Sequence, residues 1–584
     1  MKIVLVSPIS SKVAKDSLTY FSSKKVSPGD IVSVEVRSKK YDALVVGVDE
    51  ARDLKADLKK ASFGFKKIQG VKGASPFYPE FFQSCQDAGR YFVGNLGQII
   101  DYFLPSDFLL GYENLPKPKK RISGSSIFRV APTINEAEKL FSKLLRSDLN
   151  NLFLIHGSLR KKVLLERYRE ILDAKESVTV VMTPSFLFIP RHDVGEIMIE
   201  NEISGHWHTI KRPYFDLRVF SKYLAKNLGA NLSYGPGLLS VETFFESRII
   251  PKFSNTQGST LSVRDMSNKE NLYKKSFILS NDLNEMLKKE GRTFLFALRK
   301  GLATQVVCHD CRQVLKDGDA PLTLHQKGEE RILKNAYTQK TLDTKVRCAN
   351  CGSWNFDSLG IGTDTVVEEI KKYFPKRKIF QIDKDATSSD KKAKEEIGKF
   401  YKQENAVLVG TEMAIPHLTN FVDNSAIVSM DSLGHIPSYK ISERMLHLAF
   451  TIKNVTKEKM LVQTREAENF VVKALEENDL KMFFEKDLEK RKTFGYPPFS
   501  AVIKLSRKDM KDTGAEIKNF IDENLSRWKP NIRRFRRGKI FETSVLLKIP
   551  KEDWNEERQD KELSNFLSSL GPDWQIRLNP ENLF

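Results

Sequence analysis

Ser126-Ile127-Phe128-Arg129-Val130, Leu152-Phe153-Leu154-Ile155, Val178-Thr179-Val180-Val181-Met182 and Glu196-Ile197-Met198-Ile199 are four short apolar runs that follow one another along the chain. Between them, 135–145 and 161–172 carry the apolar spacing of amphipathic helices. Parallel strands need a crossover, and a helix supplies it. The alternation therefore predicts an α/β unit with a largely parallel sheet. A second alternating block runs from about 275 to 470, with strands expected at 294–298, 379–382, 407–409 and 426–430.

Upstream, residues 1 to about 70 read as β-rich. Val32, Val34 and Val36 alternate with Ser33 and Glu35, the period of a half-buried strand. Ser27-Pro28-Gly29-Asp30 makes the turn before it. Leu44-Val45-Val46-Gly47-Val48 follows the basic loop Arg37-Ser38-Lys39-Lys40 as a second strand. A small barrel-like domain fits. A helix is expected over 77–104, with Cys85 inside it, ending before Pro105. Pro116-Lys117-Pro118-Lys119-Lys120-Arg121 reads as a linker. The last hundred residues alternate again and are expected to form a separate α+β unit.

Cys308-His309-Asp310-Cys311 and Cys348-Ala349-Asn350-Cys351 are two C-x-x-C pairs. Face to face they supply four thiolates, the set that tetrahedral zinc prefers. The 36 residues between them exceed a minimal ribbon, so the site is expected to staple an inserted subdomain. Cys85 is the leftover cysteine, and nothing suggests a disulfide framework. His206, Trp207 and His208 look like a metal cluster by eye; a solvated loop is the favoured reading.

The chain has 584 residues, with 95 Lys and Arg against 75 Asp and Glu, a net charge of +20. That excess favours a polyanionic partner, most simply nucleic acid. The stretch from Lys529 to Lys539 concentrates it: Arg533, Arg534, Arg536 and Arg537 with Phe535 between them, and no acid. Basic groups beside an aromatic suit phosphate contact with base stacking; the alternative is a solvated loop. The apolar start at Met1–Val6 is too short for a signal peptide, and no run reaches the length of a membrane span. The expected location is cytoplasmic, with no membrane partner.

Taken in order along the chain, these pieces resemble the PriA (primosomal protein N′) family of replication restart helicases. The resemblance rests on Gly89-Arg90-Tyr91-Phe92, His156-Gly157-Ser158-Leu159, Thr183-Pro184-Ser185-Phe186-Leu187-Phe188, the cysteine pairs, Ile382-Asp383-Lys384-Asp385, Val409-Gly410-Thr411, Pro497-Pro498-Phe499-Ser500 and the closing Trp574 to Pro580. It implies a β-rich DNA-binding head, two RecA-like lobes, a zinc insertion and a C-terminal α+β domain. It also implies a head pocket for a 3′ end. The family's acidic pocket segment matches Leu18-Thr19-Tyr20, its glycine loop falls at Ser38-Lys39 beside Lys40, and its pocket lysine best matches Lys66. Thr19 stands where the family has an acid, so the resemblance implies an altered pocket. Ordinary surface lysines of a barrel are the plainer reading.

The departures concern the motor. The G-x-x-x-x-G-K-[ST] loop that cradles nucleotide phosphates is absent from the sequence, and the first lobe resumes at Ser126 as if truncated. The family's D-E-E-H box reads Glu200-Asn201-Glu202-Ile203. Asn201 replaces the base, and an amide cannot take a proton from water. Thr451 to Glu458 replaces the arginine motif and holds no arginine. An arginine finger contributes about 10³–10⁵ in rate. No catalytic residue is therefore expected, and ATP with Mg²⁺ is expected not to be used. Of the family's four cysteine pairs two remain, so one structural Zn²⁺ is expected, contributing roughly 10–16 kcal/mol to folding.

The expected division is 1–110 for the DNA-binding head, 111–125 for the linker, 126–270 for the degenerate first lobe, 271–302 with 357–475 for the second lobe, 303–356 for the zinc insertion, and 476–584 for the C-terminal domain. The expected function is binding of forked or single-stranded DNA with primosome and other replication proteins, without unwinding. The alternative is an active ATP-dependent 3′–5′ helicase with an unorthodox nucleotide site.

Overall fold

Val32 and Val34 are fully buried, while Ser33 and Glu35 between them keep contact with solvent. That is the two-residue period of a strand with one face inward. The computed structural model that places them describes residues 2–583 except 14, 51–65, 105–124, 148–150, 252–257, 268, 272, 274–275, 277, 299–304, 312–314, 318–319, 328–329, 336–340, 343–345, 360, 384–386, 388, 419, 435–437 and 538. The expected linker therefore lies almost wholly outside the described residues, as do Lys384 and Asp385.

The head is a six-stranded sheet in the order Lys66–Lys67, Leu18–Ser22, Lys2–Pro8, Lys39–Glu50, Asp30–Val36, Gly70–Ala74. Its two outer strands are nearly one run of chain. Between them, Ile68 N–H donates to Phe21 O (3.1 Å) and Gln69 N–H to Ser33 O (2.8 Å). One segment thus bonds both margins and closes the sheet, which removes the free edges. The basic loop is shorter than its sequence suggests. Arg37 and Ser38, at φ 46° and 64°, form the two-residue turn with left-handed backbone that matches strand twist. Lys39 and Lys40 already belong to the next strand.

The expected helix over 77–104 is two helices, Pro79–Phe92 and Leu96–Phe103. Val93 adopts the left-handed conformation (φ 55°), and Asn95 starts the second helix with a capping box to Gln98. Gly97 is pressed against the barrel: a Cβ there would sit 2.0 Å from Pro8 O. Only glycine allows that approach.

The first lobe is a five-stranded sheet in the order Asn231–Tyr234, Val194–Ile199, Ser126–Val130, Thr179–Met182, Leu152–Ile155, with every pairing parallel. The second lobe has six parallel strands, Thr260–Asp265, Thr456–Thr464, Val422–Ile427, Arg292–Phe296, Ala406–Gly410 and Lys378–Ile382. Two expectations are corrected. Thr260–Asp265 lies on the second sheet, so the boundary at 270 falls too late. The strand expected at 426–430 begins at Val422, because the polar run Asp423-Asn424-Ser425 reads as loop, although Asn424 and Ser425 are buried. Val428 and Met430 continue the apolar run past the ladder into a buried turn.

The insertion forms an antiparallel sheet from Gln305–Cys308, Ala320–Lys327, Glu330–Asn335, Thr341–Leu342 and Phe356–Leu359. Its core is small, with Val306, Leu315, Leu322 and Leu333 around Cys308 and Cys348. The C-terminal sheet is antiparallel, in the order Asn531–Arg537, Ile540–Pro550, Ser500–Asp509, Trp574–Leu578. It is not the separate unit expected. Phe81 and Phe103 of the head helices, Phe188 and Phe220 of the first lobe, and Ile503, Ile549 and Trp554 share one core, and Trp554 Nε1–H donates to Tyr91 O at 3.3 Å. Among the described residues, no helix is long and apolar enough to cross a membrane.

Candidate nucleic-acid interface and metal centre

Thr19 and Tyr20 are neighbours on one strand, so they point to opposite faces. Tyr20 turns inward at 4% exposure and its hydroxyl donates to Glu35 O at 2.8 Å. Lys66 is the parallel partner of Tyr20, and its Nζ lies 2.9 Å from Glu35 Oε1. Gln69 Nε2–H donates to Glu35 Oε2 at 3.2 Å, and Lys40 stands opposite Glu35 in register. The structure thus gathers Tyr20, Lys40 and Lys66 around Glu35. Thr19 lies on the far face of its strand, and Lys39 is opposite Val36. The Lys66 hydrogen bond and charge hold Glu35 below the usual carboxylate range, with Lys40 and Gln69 adding to it. Burial raises the Tyr20 phenol, against the pull of Lys66. Sequence reasoning missed Glu35, although its exposed place in an alternating strand was the signal available.

The basic stretch near the C terminus is an edge strand rather than a loop. Asn531–Arg537 pairs on one side with Ile540–Pro550. Strand periodicity then divides the arginines: Arg533 with Phe535 on one face, Arg534 and Arg536 on the other. Arg534 makes an ion pair with Asp512, and the Arg536 guanidinium lies 5.3 Å from the Phe541 ring. The Arg537 side chain lies outside the described residues. The outer edge keeps cations and an aromatic along one line, the arrangement that tracks a phosphate backbone.

Glu200, Asn201 and Glu202 are all consumed by contacts within the protein. Glu200 is paired with Arg129, which donates through Nε at 2.6 Å. Burial nevertheless lifts its carboxyl above the usual range. Asn201, at φ 45°, donates through Nδ2 to Glu136 Oε1 at 2.6 Å. Glu202 is buried and accepts from Arg218 Nη1 (3.0 Å), Ser240 N–H (2.6 Å), Ser240 Oγ–H (2.8 Å) and Thr243 Oγ1–H (3.0 Å). Both of its oxygens are therefore occupied. The expected solvated loop beside this box is corrected as well. Trp207 is fully buried, with Nε1–H donating to Asn201 O at 3.0 Å, and His208 Nε2 lies 3.8 Å from Asp216.

Between the lobes sits a buried charge hub that the sequence did not announce. Arg491, 1% exposed, donates to Asp487 (2.7 Å), Glu443 (2.9 Å) and Pro497 O (3.2 Å), and lies 3.1 Å from Glu242. Lys440 is 3.1 Å from Glu242. Glu443 also accepts Val241 N–H, 2.9 Å away, at the start of the helix Val241–Ser247. That helix carries the Ser240 and Thr243 contacts to Glu202 at the same end. One short helix therefore fastens the first lobe to the second. A cavity of about 490 Å³ opens beside it, bounded by Tyr91, Arg218, Lys222, Glu242, Lys440 and Trp554.

The cysteine prediction is met in geometry. Cys308, Cys311, Cys348 and Cys351 bring their sulfurs within 4.8 Å of one another, with 3.4 Å between Cys308 and Cys351 and 3.5 Å between Cys311 and Cys348. Four thiols so placed can hold one metal ion. Among the described residues this is the one such group of three or more His, Cys, Asp or Glu side chains.

The fold joins a closed β-barrel head, two parallel α/β lobes in series, a four-cysteine insertion and a basic C-terminal edge. Residues 3–105 match the family model described as the PriA 3′DNA-binding domain (3′BD). Beyond the head, the chain is similar to replication restart protein PriA of several bacteria. It is 25% identical over 421 residues to the Thermotoga maritima protein of that name, covering 69% of this chain and 56% of that one. It is 22% identical over 580 residues to the Helicobacter pylori protein, covering 88% and 87%. The chain spans about half the length of most of the curated relatives it matches. A solved structure of Mycobacterium smegmatis helicase Lhr bound to ssDNA and AMP-PNP aligns at a TM-score of 0.29 and 12% identity, over 70% of this chain and 51% of that one. The lobes are defined by their strand orders, not by that alignment.

Proposed function

We propose that this chain binds forked or single-stranded DNA and takes part in replication restart and primosome assembly without unwinding DNA. Its partners are DNA and primosome or replication proteins, in the cytoplasm. The observation that carries the reading is the acid box: Glu200 is neutralised by Arg129, Asn201 is an amide tied to Glu136, and Glu202 accepts four hydrogen bonds. No carboxylate there is left to hold Mg²⁺ or to accept a proton from water, so ATP has no use at this site. The excess of 20 positive charges, the basic edge strand and the match of residues 3–105 support a retained grip on DNA.

The four cysteines hold one structural Zn²⁺. Zinc–sulfur bonds of about 2.3 Å in a tetrahedron place the sulfurs roughly 3.8 Å apart, a spacing the cluster approaches. All four positions are thiolates, so none is left for water or substrate. The test is DNA-stimulated ATP hydrolysis, run beside binding to forks with and without a 3′ end at the branch. Fork binding with no stimulated hydrolysis is expected. Stimulated turnover that is abolished by a substitution in the first lobe would establish the active-helicase reading instead.

A further inference from the structure

Five tryptophans occur in the chain, and four of them are packed. Trp207, Trp554 and Trp574 are 0%, 1% and 6% exposed, and Trp528 is half-buried with the Arg527 guanidinium 4.5 Å from its ring. Trp354 stands apart at 75% exposure. An indole left in water forgoes the largest apolar gain a side chain has. The chain nevertheless places it on a turn braced by hydrogen bonds. Gly352, at φ 74°, donates to Cys348 O at 2.8 Å, and Cys348 N–H donates to Ser353 O at 2.8 Å. Asn355 N–H donates to Ser353 Oγ at 3.0 Å, and His309 N–H donates to Asn355 O at 2.8 Å. The backbone is thus tied on both sides of the tryptophan and across to the other cysteine pair.

The neighbours decide what such a ring can receive. Arg347, Asn350 and Asn355 are exposed, and Ser353 is half-exposed. Among the described residues of the insertion no other large apolar side chain is exposed, whereas a protein hot spot needs a desolvated pocket or a contiguous patch. A stacked nucleobase needs only one π face and a cation near the backbone. We infer that Trp354 is a stacking platform for one unpaired base of single-stranded DNA, with the cysteine knuckle as its rigid mount and the exposed Arg347 of the same knuckle as a cation for the backbone. Because the mount is already fixed, little ordering entropy opposes stacking. This rests on the DNA-binding reading above and adds a contact that the head and the C-terminal edge do not supply.

The experiment uses the full chain with three variants, W354A, W354F and W354L, each checked for unchanged metal content. Affinity for a labelled oligothymidylate is read by anisotropy, and intrinsic emission is read with unlabelled strand. Wild-type emission is expected to be quenched on binding and W354F emission to be quenched clearly less, since Trp354 is the most exposed tryptophan and Trp528 is half-buried. W354A and W354L should bind about tenfold more weakly, and W354F within about threefold of wild type. Unchanged affinity in W354A, or quenching in W354F equal to wild type, overturns the inference while leaving the DNA-binding reading standing. Wild-type protein that binds neither strand nor fork overturns both.

Discussion

Replacing Arg491 by methionine would leave Asp487, Glu443 and Glu242 facing one another with Lys440 as the remaining cation. Methionine fills much of the volume, so the loss is electrostatic rather than a cavity. Breaking one partner out of a buried ion pair costs about 3–5 kcal/mol, because the opposite charges stay buried. The cost should depend on pH. Burial, and next the neighbouring Glu242, push Glu443 up to about 7, and Arg491 is the group that most holds it down. Its folded value lies above its ordinary one, so its contribution is fully present below about 4.5 and is lost as pH rises through 7. Without Arg491 the folded value climbs further and the window widens upward. The deficit of the variant should then grow by about 1.4 kcal/mol per pH unit across that window. Hydrogen exchange of the segments Val241–Ser247 and Leu480–Phe494 at pH 6 and pH 8, corrected for intrinsic rates, reads the local opening free energy. A deficit below about 1 kcal/mol, or one equal at both pH values, would refute the hub as described.

Three further outcomes are expected. Metal analysis should return about one zinc per chain, and Cys348→Ser should abolish it; two zincs, or none after gentle purification, would contradict the four-thiolate site. Chelation should melt the strands of the insertion before either lobe, seen as loss of exchange protection in Ala320–Asn335 first. Charge reversal of Arg533, Arg534, Arg536 and Arg537 to glutamate should weaken DNA binding and flatten its dependence on salt, because fewer counterions are released; an unchanged slope would remove this edge from the interface.

Four strands of the first lobe were legible because their short apolar runs are separated by amphipathic helical stretches, whereas the fifth, Asn231–Tyr234, is too short and polar to signal itself. The cysteine cluster was legible because its spacing carries its chemistry. What failed did so for local physical reasons. Val93 takes a left-handed backbone that no hydrophobic pattern signals. Asp423-Asn424-Ser425 reads as loop yet begins a buried strand. Arg533 to Arg537 looks like a charged loop because an edge strand with both faces basic has no apolar alternation to betray it. The hub around Arg491 draws on residues more than 200 positions apart, such as Val241 and Glu443, and only Asp487 and Arg491, four apart on one helix, leave a trace in the sequence.

The bond from Trp554 to the carbonyl of Tyr91 spans 463 residues. At roughly 5–20 residues per second, a ribosome needs about half a minute to a minute and a half to make that stretch. During that interval Tyr91 and the neighbouring first-lobe surface at Tyr223 wait for a partner still to be synthesised. A message cut short anywhere before Ser500 would release a polypeptide with that apolar face uncovered, fit for chaperones or proteolysis rather than for assembly.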